Sequence, residues 1–223
     1  MDIGAQEYVA TRGTIGILGA GRVGTAIARL AVAAGYRVKI ATSKPAADNA
    51  LIIEIVTPGA EAVDAPEAAD SDLVVVAVPL HKYKGVGADM LAGKVVVDAM
   101  NYWSVTDGDI ADFEADDRSS SEVVAAHLSA SRVVKSFNHI GYHEMEPDSA
   151  PTGTADRRAL AVAGDDTDAK EQVAAFIDAL GFDVVDAGDL AAGQNYEPGT
   201  EVFNGRFNAG ELSTKLRGSL VSV

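Results

Sequence analysis

The stretch that decides the fold is Thr14–Gly24, TIGILGAGRVG. Its first part, Thr14–Gly19, predicts a buried β-strand, because a strand covered on both faces is a short apolar run. The last six residues have the spacing G-x-G-x-x-G. Thr25–Ala34 then has a helical pattern and is followed by Gly35, a residue typical of helix ends. The stretch therefore predicts a strand, a tight glycine turn and a helix.

In this context the three glycines have separate roles. Gly19 allows the tight turn, Gly21 lets the backbone approach a pyrophosphate, and Gly24 lets helix and strand pack closely. The helix begins with unpaired N–H groups, which attract phosphate. Arg22 either contacts phosphate or is solvated on the helix surface, and Val23 follows it in the same loop. We interpret the loop as dinucleotide-binding, against the alternative of a merely structural turn.

The residues after the second predicted strand, Arg37–Ala41, indicate which dinucleotide binds. NAD-binding proteins usually place an Asp or Glu there, which bonds the ribose 2′-OH. This chain has Thr42, Ser43 and Lys44 instead. Two hydroxyls and an ammonium suit a 2′-phosphate, which a carboxylate would repel, so we expect NADP(H). The alternative is that Thr42 and Ser43 only cap the next helix.

Short apolar runs alternate with helical stretches along most of the chain. The runs predict strands at Asp72–Val78, Lys94–Ala99 and Arg132–Phe137, and the intervening patterns predict helices at Ala46–Ile55, Gly87–Leu91 and Ser119–Leu128. Buried strands that alternate with helices favour an α/β fold with a doubly wound, mainly parallel sheet of the Rossmann type. We assign its dinucleotide-binding core to residues 12–140.

The rest of the chain predicts an extension of this sheet within a single domain. Gly141–Arg157 is polar, contains two Pro and two Gly, and favours a long loop. An αβ extension follows at 158–190, with strands predicted at 159–163 and 182–186 and a helix at 168–180. The tail, 191–223, has a weak helical pattern near 211–216 and otherwise favours loop.

Val78, Pro79, Leu80 and His81 follow the most apolar predicted strand. In this fold ligands bind at the carboxyl edge of the sheet. We therefore expect these four residues to contact the cofactor, with Pro79 and Leu80 shaping the nicotinamide pocket. His81 begins a small basic cluster, HKYK, which either steers anionic cofactors or is a solvated loop.

Composition excludes several classes of function. The chain has 18 Lys+Arg against 33 Asp+Glu, a formal charge of −15, so we expect no nucleic-acid partner and no binding to anionic membranes. Without cysteine, disulfides and thiolate sites are excluded. No apolar stretch approaches the ~18–20 residues that span a membrane, and the N-terminus lacks the pattern of a secretory signal. We expect a soluble, cytoplasmic protein.

Other polar and aromatic residues invite specific hypotheses. His139 and His143 have the spacing of metal ligands on a helix, but Gly141 interrupts them, so we expect no metal. Asp98, at a strand end, is expected to be a hydrogen-bonded structural carboxylate. Tyr102 and Trp103 either stack on a planar ring or pack within a loop.

Four stretches resemble the NADPH-dependent coenzyme F420 reductases, also called F420-dependent NADP oxidoreductases, whose relatives include STEAP-type reductase domains. They are GILGAGRVGTAIA at 16–28, TSK at 42–44, VVKSFNHI at 133–140 and the segment 161–190, AVAGDDTDAKEQVAAFIDALGFDVVDAGDL. The G-x-G-x-x-G is generic, whereas F-N-x-I and the later D-A-G are more specific. The resemblance runs from about Thr14 to about Leu190.

The resemblance implies hydride transfer between NADPH and a flavin or deazaflavin (F420-type) ring stacked on the nicotinamide. Such a transfer depends on orientation more than on an acid–base residue. By resemblance, Asn138 and Ile140 are the catalytic residues: Ile140 presses the rings together and Asn138 bonds a ring or carboxamide edge. Asn138 stands where archaeal F420 enzymes have His, so F420, FMN and FAD all remain open as the acceptor.

Two alternatives remain beside this interpretation. The first is NADPH-dependent reduction of a small C=N or C=O substrate. The second is a non-catalytic NADPH-binding module that reports redox state to a partner protein. The resemblance also implies a possible homodimer, although no residue indicates one.

Overall fold

The computed structural model describes residues 12–114 and 118–219 of the chain. The strands are β1 Thr14–Leu18, β2 Arg37–Ala41, β3 Ala60–Ala62, β4 Leu73–Val76, β5 Val95–Asp98, β6 Arg132–Lys135, β7 Ala159–Gly164 and β8 Asp183–Gly188. The helices are α1 Arg22–Ala33, α2 Ala46–Val56, α3 Ala65–Ala69, α4 Ser104–Asp107, α5 Ala111–Glu114, α6 Ser120–His127, α7 Met145–Asp148, α8 Thr167–Ala179 and α9 Ala209–Ser219. Residues 1–11, on which the expectation about a secretory signal rests, lie outside the described residues, as does the end of the tail, 220–223.

These eight strands form one sheet in the order β3-β2-β1-β4-β5-β6-β7-β8. Strands β1 to β6 pair in parallel, and the chain moves outward from β1 in one direction and then returns to continue from β4 in the other. The predicted doubly wound α/β fold is confirmed. The reversal places the carboxyl ends of β1 and β4 side by side, which is where this architecture binds ligands.

The last two strands run in the opposite direction. β7 pairs antiparallel with β6, and β8 pairs parallel with β7. Both strands continue the same sheet, as the sequence pattern favoured for 158–190. Because of the reversal, the segment between β6 and β7 begins and ends at the carboxyl edge of the parallel strands.

The central strands are apolar throughout because helices cover both faces of the sheet. Val75 and Val97 lie in one buried cluster with residues of α1 and α8, whereas Val74, Val76 and Val96 lie in another with residues of α6. Alternate side chains of a strand point to opposite faces. The continuous valine runs in the sequence therefore reflect burial on both sides.

The structure corrects several local predictions. Strand β3 and helix α3 were not predicted, because β3 is a three-residue edge strand, AEA, without an apolar run. The predicted helix at 87–91 is a 3-10 turn at 89–91, preceded by another at 80–85. In the tail, residues 190–196 form a 3-10 helix, and α9 is longer than the predicted 211–216.

The segment 141–157, predicted as a loop, contains helix α7 and is anchored by buried arginines. Arg158 is 1% exposed and donates to Glu144 Oε2 at 3.1 Å, to Asp148 Oδ2 at 2.6 Å and to the Gly205 carbonyl at 2.9 Å. On the α1 side, Arg29 pairs with Glu146 at 2.6 Å. The segment is thus fixed against α1 and against the tail.

Candidate active site

The glycine loop joins β1 to α1, and two of its glycines are required by the protein's own backbone. Gly19 has φ +118°, a conformation that favours glycine, and a Cβ there would lie 2.4 Å from the Ala77 carbonyl oxygen. A Cβ on Gly24 would lie 1.9 Å from the Gly19 carbonyl oxygen. Neither position has room for a side chain, because β1, β4 and α1 approach closely here.

Gly21 differs from the other two glycines. It is the N-cap of α1, and a Cβ there would have no heavy atom of the described chain within 4 Å. No side chain among the described residues caps this helix end, so N–H groups of its first turn can bind an anion. The open space fits a ligand that approaches the backbone. Val23 is half-buried and packs against the core.

Arg22 is exposed at the start of α1 and contacts a side chain from the segment after β6. Its Nη1 donates to Tyr142 Oη at 3.2 Å, and its guanidinium lies 5.3 Å from the centroid of that ring. Arg22 is therefore not only solvated on the helix surface but also contacts Tyr142. The contact with phosphate stays a prediction.

The residues after β2 do not cap the next helix. Thr42 Oγ1 accepts from the Lys44 backbone N–H at 3.0 Å and so shapes the turn. The N-cap of α2 is Pro45, and Asp64 Oδ1 accepts from the Ala46 N–H at 2.8 Å. The capping alternative for Thr42 and Ser43 is wrong. The Ser43 and Lys44 side chains stay exposed at this edge, as a 2′-phosphate site requires.

The residues after β4 lie at the same carboxyl edge of the sheet and differ in how far they are buried. Val78 is half-buried, Pro79 is exposed, and Leu80 is 2% exposed. Pro79 precedes the 3-10 turn that begins at Leu80. Val78 and Pro79 are the accessible members, and their contact with a cofactor stays a prediction.

Acidic residues partly neutralise the basic cluster that begins at His81. His81 Nδ1 lies 3.4 Å from Asp107 Oδ1, and Lys84 Nζ lies 2.5 Å from Asp112 Oδ2. Lys82 is exposed. Paired charges steer anions less than free ones, so the arrangement weakens the steering interpretation.

A strained turn follows β6 and contains both predicted catalytic residues. Phe137 is 1% exposed and has φ +62°, which is a rare conformation for a bulky residue. Asn138 is 4% exposed, and its Nδ2 donates to Asn101 Oδ1 at 3.1 Å and to the Tyr196 carbonyl at 3.0 Å. In return Asn101 Nδ2 donates to the Asn138 carbonyl at 2.6 Å. Asn138 thus joins three segments, and both its amide hydrogens are used within the protein.

His139 is fully buried between the turn and β7. Its Nδ1 lies 3.1 Å from Asn138 Oδ1, and its Nε2 accepts from the Ala161 N–H at 3.0 Å. This pattern assigns the proton to Nδ1. Burial, with the charges of Arg158 and Lys135, lowers the pKa of His139 from 6.5 to about 3. The ring is neutral and both its nitrogens are occupied, so it does not form a metal pair with the exposed His143.

Ile140 is 4% exposed and belongs to the core cluster beneath the sheet edge. Its predicted contact with stacked rings remains untested. Trp103, in contrast, is 49% exposed, and its ring centroid lies 5.6 Å from that of Phe203 in the tail. Tyr102 stacks on Phe113 instead, with centroids 5.2 Å apart. The sequence left open whether these two rings stack on a planar ligand or pack within a loop. Tyr102 packs within the loop, whereas the Trp103 ring is accessible.

Sequence analysis missed a buried polar cluster next to the turn, which we call the Lys135 cluster. Its members are Asp98, Ser120, Ser121, Lys135 and Glu197. Asp98 is a fully buried structural carboxylate, as predicted. A signal for the rest was present: the predicted strand Arg132–Phe137 has a lysine at a position that must be buried. Nothing in the sequence indicated which carboxylates would surround it.

Comparisons with known proteins agree with this geometry. The family model described as coenzyme F420-dependent NADP oxidoreductase matches residues 14–102. The chain is also 31% identical over 188 residues to metalloreductase STEAP3 of Rattus norvegicus. The chain belongs to the F420-dependent NADP oxidoreductase family. The match covers 82% of this chain and 35% of the metalloreductase, so the chain spans about a third of that relative's length.

Two solved structures resemble this member of the F420-dependent NADP oxidoreductase family over most of its length. A hypothetical protein from Sinorhizobium meliloti has a TM-score of 0.76 and 28% identity, over 87% of this chain and 95% of that protein. A candidate F420-dependent NADP reductase from Arthrobacter sp. FB24 has a TM-score of 0.69 and 27% identity, over 81% and 87%. The family-model match includes the glycine loop and residues 42–44 but ends before the turn after β6.

Within residues 12–114 and 118–219, no helix combines the length and the apolar character needed to cross a membrane.

Proposed function

We propose that this family member is an oxidoreductase that transfers a hydride between NADPH and a flavin or deazaflavin ring of the F420 type. When bound, NADPH supplies the hydride. The chain's own residues would bind the dinucleotide at the glycine loop and orient the acceptor beside the turn after β6. The observation that carries the proposal is that neither titratable ring at this turn, His139 or Tyr196, is a suitable proton donor.

The two titratable rings at the turn are poor acids. The pKa of His139, lowered to about 3 by burial, leaves it neutral, with its one N–H directed at Asn138 Oδ1. Burial also raises the pKa of Tyr196 well above its usual value, and its hydroxyl donates to the Lys135 carbonyl at 3.1 Å. Reduction of C=O or C=N requires a general acid for the new O–H or N–H. Hydride transfer to a ring that delocalises the resulting charge depends mainly on orientation.

The dinucleotide half of the proposal rests on two neighbouring segments at the carboxyl edge of the sheet. The free N–H groups near Gly21 suit a pyrophosphate. The exposed Ser43 and Lys44 suit a 2′-phosphate, since neither is used to cap α2. These residues fit NADPH better than NADH.

Turnover with parallel acceptors tests the proposal. NADPH oxidation is followed by its near-ultraviolet absorbance with F420, FMN and FAD offered separately, and with NADH as the control donor. We expect turnover with at least one ring and faster oxidation of NADPH than of NADH. Tight NADPH binding without turnover on any ring would contradict the proposal and favour a small C=N or C=O substrate or the redox-sensor alternative.

The choice of dinucleotide is tested by Lys44→Asp. Charge-assisted contacts contribute about 1.5–3 kcal/mol, so NADPH affinity should fall by about ten- to a hundredfold while NADH affinity changes little. Lys82→Asp makes the same charge change in the 3-10 turn after β4 and serves as the control. Equal losses of NADPH and NADH affinity in Lys44→Asp, or an equal loss of NADPH affinity in Lys82→Asp, would contradict the assignment of residues 42–44 to the 2′-phosphate.

A further inference from the structure

The Lys135 cluster places a fully buried cation at the end of β6. Lys135 is 0% exposed, and its Nζ lies 3.0 Å from Ser120 Oγ, 3.0 Å from Ser121 Oγ and 3.3 Å from Glu197 Oε1. The two serine hydroxyls accept hydrogen bonds from the ammonium group, and the Glu197 carboxylate lies at ion-pair distance from it. Taking charges out of water is costly, and their attraction offsets this cost only in well-matched geometry.

The two serines connect the cation to both carboxylates. Ser120 Oγ donates to Glu197 Oε1 at 2.6 Å, and Ser121 Oγ donates to Asp98 Oδ2 at 2.6 Å. The Ser120 backbone N–H, at the start of α6, also donates to Glu197 Oε1 at 2.9 Å. Negative charge is favoured at a helix N-terminus. Asp98 and Lys135 lie in neighbouring strands and the two serines lie on α6, whereas Glu197 comes from the tail.

Glu197 stands at the start of a tail segment, residues 196–204, that is joined to the turn after β6. The Tyr196 carbonyl accepts from Asn138 Nδ2 at 3.0 Å, and the Asn204 N–H donates to the His139 carbonyl at 3.1 Å. Asn204 has φ +59°, so both this segment and the turn contain a residue in a rarely populated conformation. Such conformations persist only where the surroundings enforce them.

We infer that Glu197 is a positioning residue for the acceptor half of the reaction. By its bonds to Lys135 and Ser120 it holds the tail segment against the turn, and so places Phe203 beside Trp103. None of the hydrogen bonds or ion pairs of the Lys135 cluster reaches residues 19–24 or 42–44 among the described residues. Loss of Glu197 should therefore impair the acceptor and spare NADPH. This inference rests on the proposed function for its kinetic part.

Glu197→Gln tests the inference with little change in shape. A displacement of about 1 Å in an active site can reduce a rate by about a hundredfold, so kcat/KM for the acceptor should fall by about ten- to a hundredfold. The dissociation constant of NADPH should stay within about twofold of the wild-type value. Ser120→Ala removes one hydroxyl and keeps the backbone N–H, and it should shift the same constants in the same direction. It replaces Glu197→Gln as the test if that variant folds poorly.

Asp178→Asn is the matched control. It weakens the ion pair of another buried cation: Arg157 is 2% exposed and lies 2.6 Å from Asp178, whose side chain is 52% exposed, and 2.9 Å from Asp183. Arg157 also bonds the Ala150 and Asp178 carbonyls, and none of its bonds within the described residues reaches the turn or the tail segment. We expect a drop in Tm and no change in kcat/KM for the acceptor.

Fluorescence provides a readout that does not depend on activity. Trp103 is the single tryptophan of the chain, and it contacts Phe203 of the tail segment. Without NADPH, Glu197→Gln and Ser120→Ala should shift the Trp103 emission to longer wavelength as its ring becomes more exposed. Asp178→Asn should leave the emission unchanged.

The outcomes separate this inference from the proposed function. Wild-type protein that turns over no flavin or F420 would overturn the proposed function alone, and the emission shift would still test the position of the tail segment. Wild-type acceptor kinetics and emission in variants that lose as much Tm as the control would overturn the inference. Equal losses of NADPH affinity and acceptor turnover would also overturn it, since they would indicate a general structural effect.

Discussion

The two halves of the candidate site are built in different ways. The phosphate half, residues 19–24 and 42–44, combines contacts between near neighbours, such as Gly24 against the Gly19 carbonyl, with the close approach of Gly19 to the Ala77 carbonyl. In the acceptor half, the turn after β6 and residues 196–204 are joined to each other and to other segments by bonds between residues 22 to 77 positions apart. Exposed backbone and short side chains form the first half, and buried polar groups fix the second.

The difference shows what each half requires of the fold. A phosphate is bound largely by helix geometry and backbone N–H groups, which a short stretch of sequence provides. Placing two rings face to face needs side chains from several segments at fixed distances. Variants of the acceptor half should therefore cost more stability than variants of the phosphate half that keep the backbone unchanged.

The largest expected effect is that of Lys135→Met. Removing this cation leaves the Asp98 and Glu197 carboxylates without their buried partner, which typically costs about 3–5 kcal/mol of unfolding free energy. Lys170→Met is the control, since Lys170 pairs with Asp186 at 2.9 Å and Asp186 is 61% exposed. The Lys170 side chain is 15% exposed, and a pair whose carboxylate is mostly exposed contributes about 1 kcal/mol or less. Urea unfolding measures both, and equal losses would contradict the burial argument.

An intermediate effect is expected within the glycine loop. Gly24→Ala forces a Cβ to within 1.9 Å of the Gly19 carbonyl oxygen, and such overpacking costs about 1–3 kcal/mol or more. Gly21→Ala meets no neighbouring atom and should cost less than about 1 kcal/mol, yet weaken NADPH because its methyl group occupies the phosphate space. Thermal unfolding with NADPH titration distinguishes the two. A stable Gly24→Ala would show that the loop is less tightly packed than described.

The smallest effect concerns pH and the acceptor half. The pKa of His139 is about 3 in the folded protein against 6.5 ordinarily. As the pH falls, this histidine is therefore protonated at a higher pH in the unfolded chain than in the folded protein. The unfolding free energy should therefore decrease below about pH 6.5, by about 2 kcal/mol at pH 5 from this group.

His139→Gln should flatten that part of the pH profile in urea unfolding at pH 5 and pH 7. His143→Gln, which removes an exposed ring, should retain the wild-type slope. If the wild-type and His139→Gln profiles were parallel, His139 would not be buried and neutral as described.

The same contrast explains what the sequence could predict. The glycine spacing and the valine runs encode local geometry and two-sided burial, so the loop, the sheet and the switch between β1 and β4 were predictable. The free side chains of Ser43 and Lys44 were not, because the first N–H of α2, at Ala46, bonds Asp64, eighteen positions beyond Ala46, and not a residue of 42–44. The resemblance drew attention to Asn138, whose role in the reaction stays a prediction, but its bonds to Asn101 and Tyr196 follow only from the assembled fold.

The reversal of direction between β6 and β7 has a consequence for engineering. Because residues 141–158 leave and re-enter the sheet at the same edge, a replacement of different length can be inserted there without passing across either face. Tyr142, which contacts Arg22, and helix α7, which pairs with Arg29 of α1, lie in this interval. Exchange of the interval with a relative's segment would therefore change the side chains beside α1 and leave the strand order untouched.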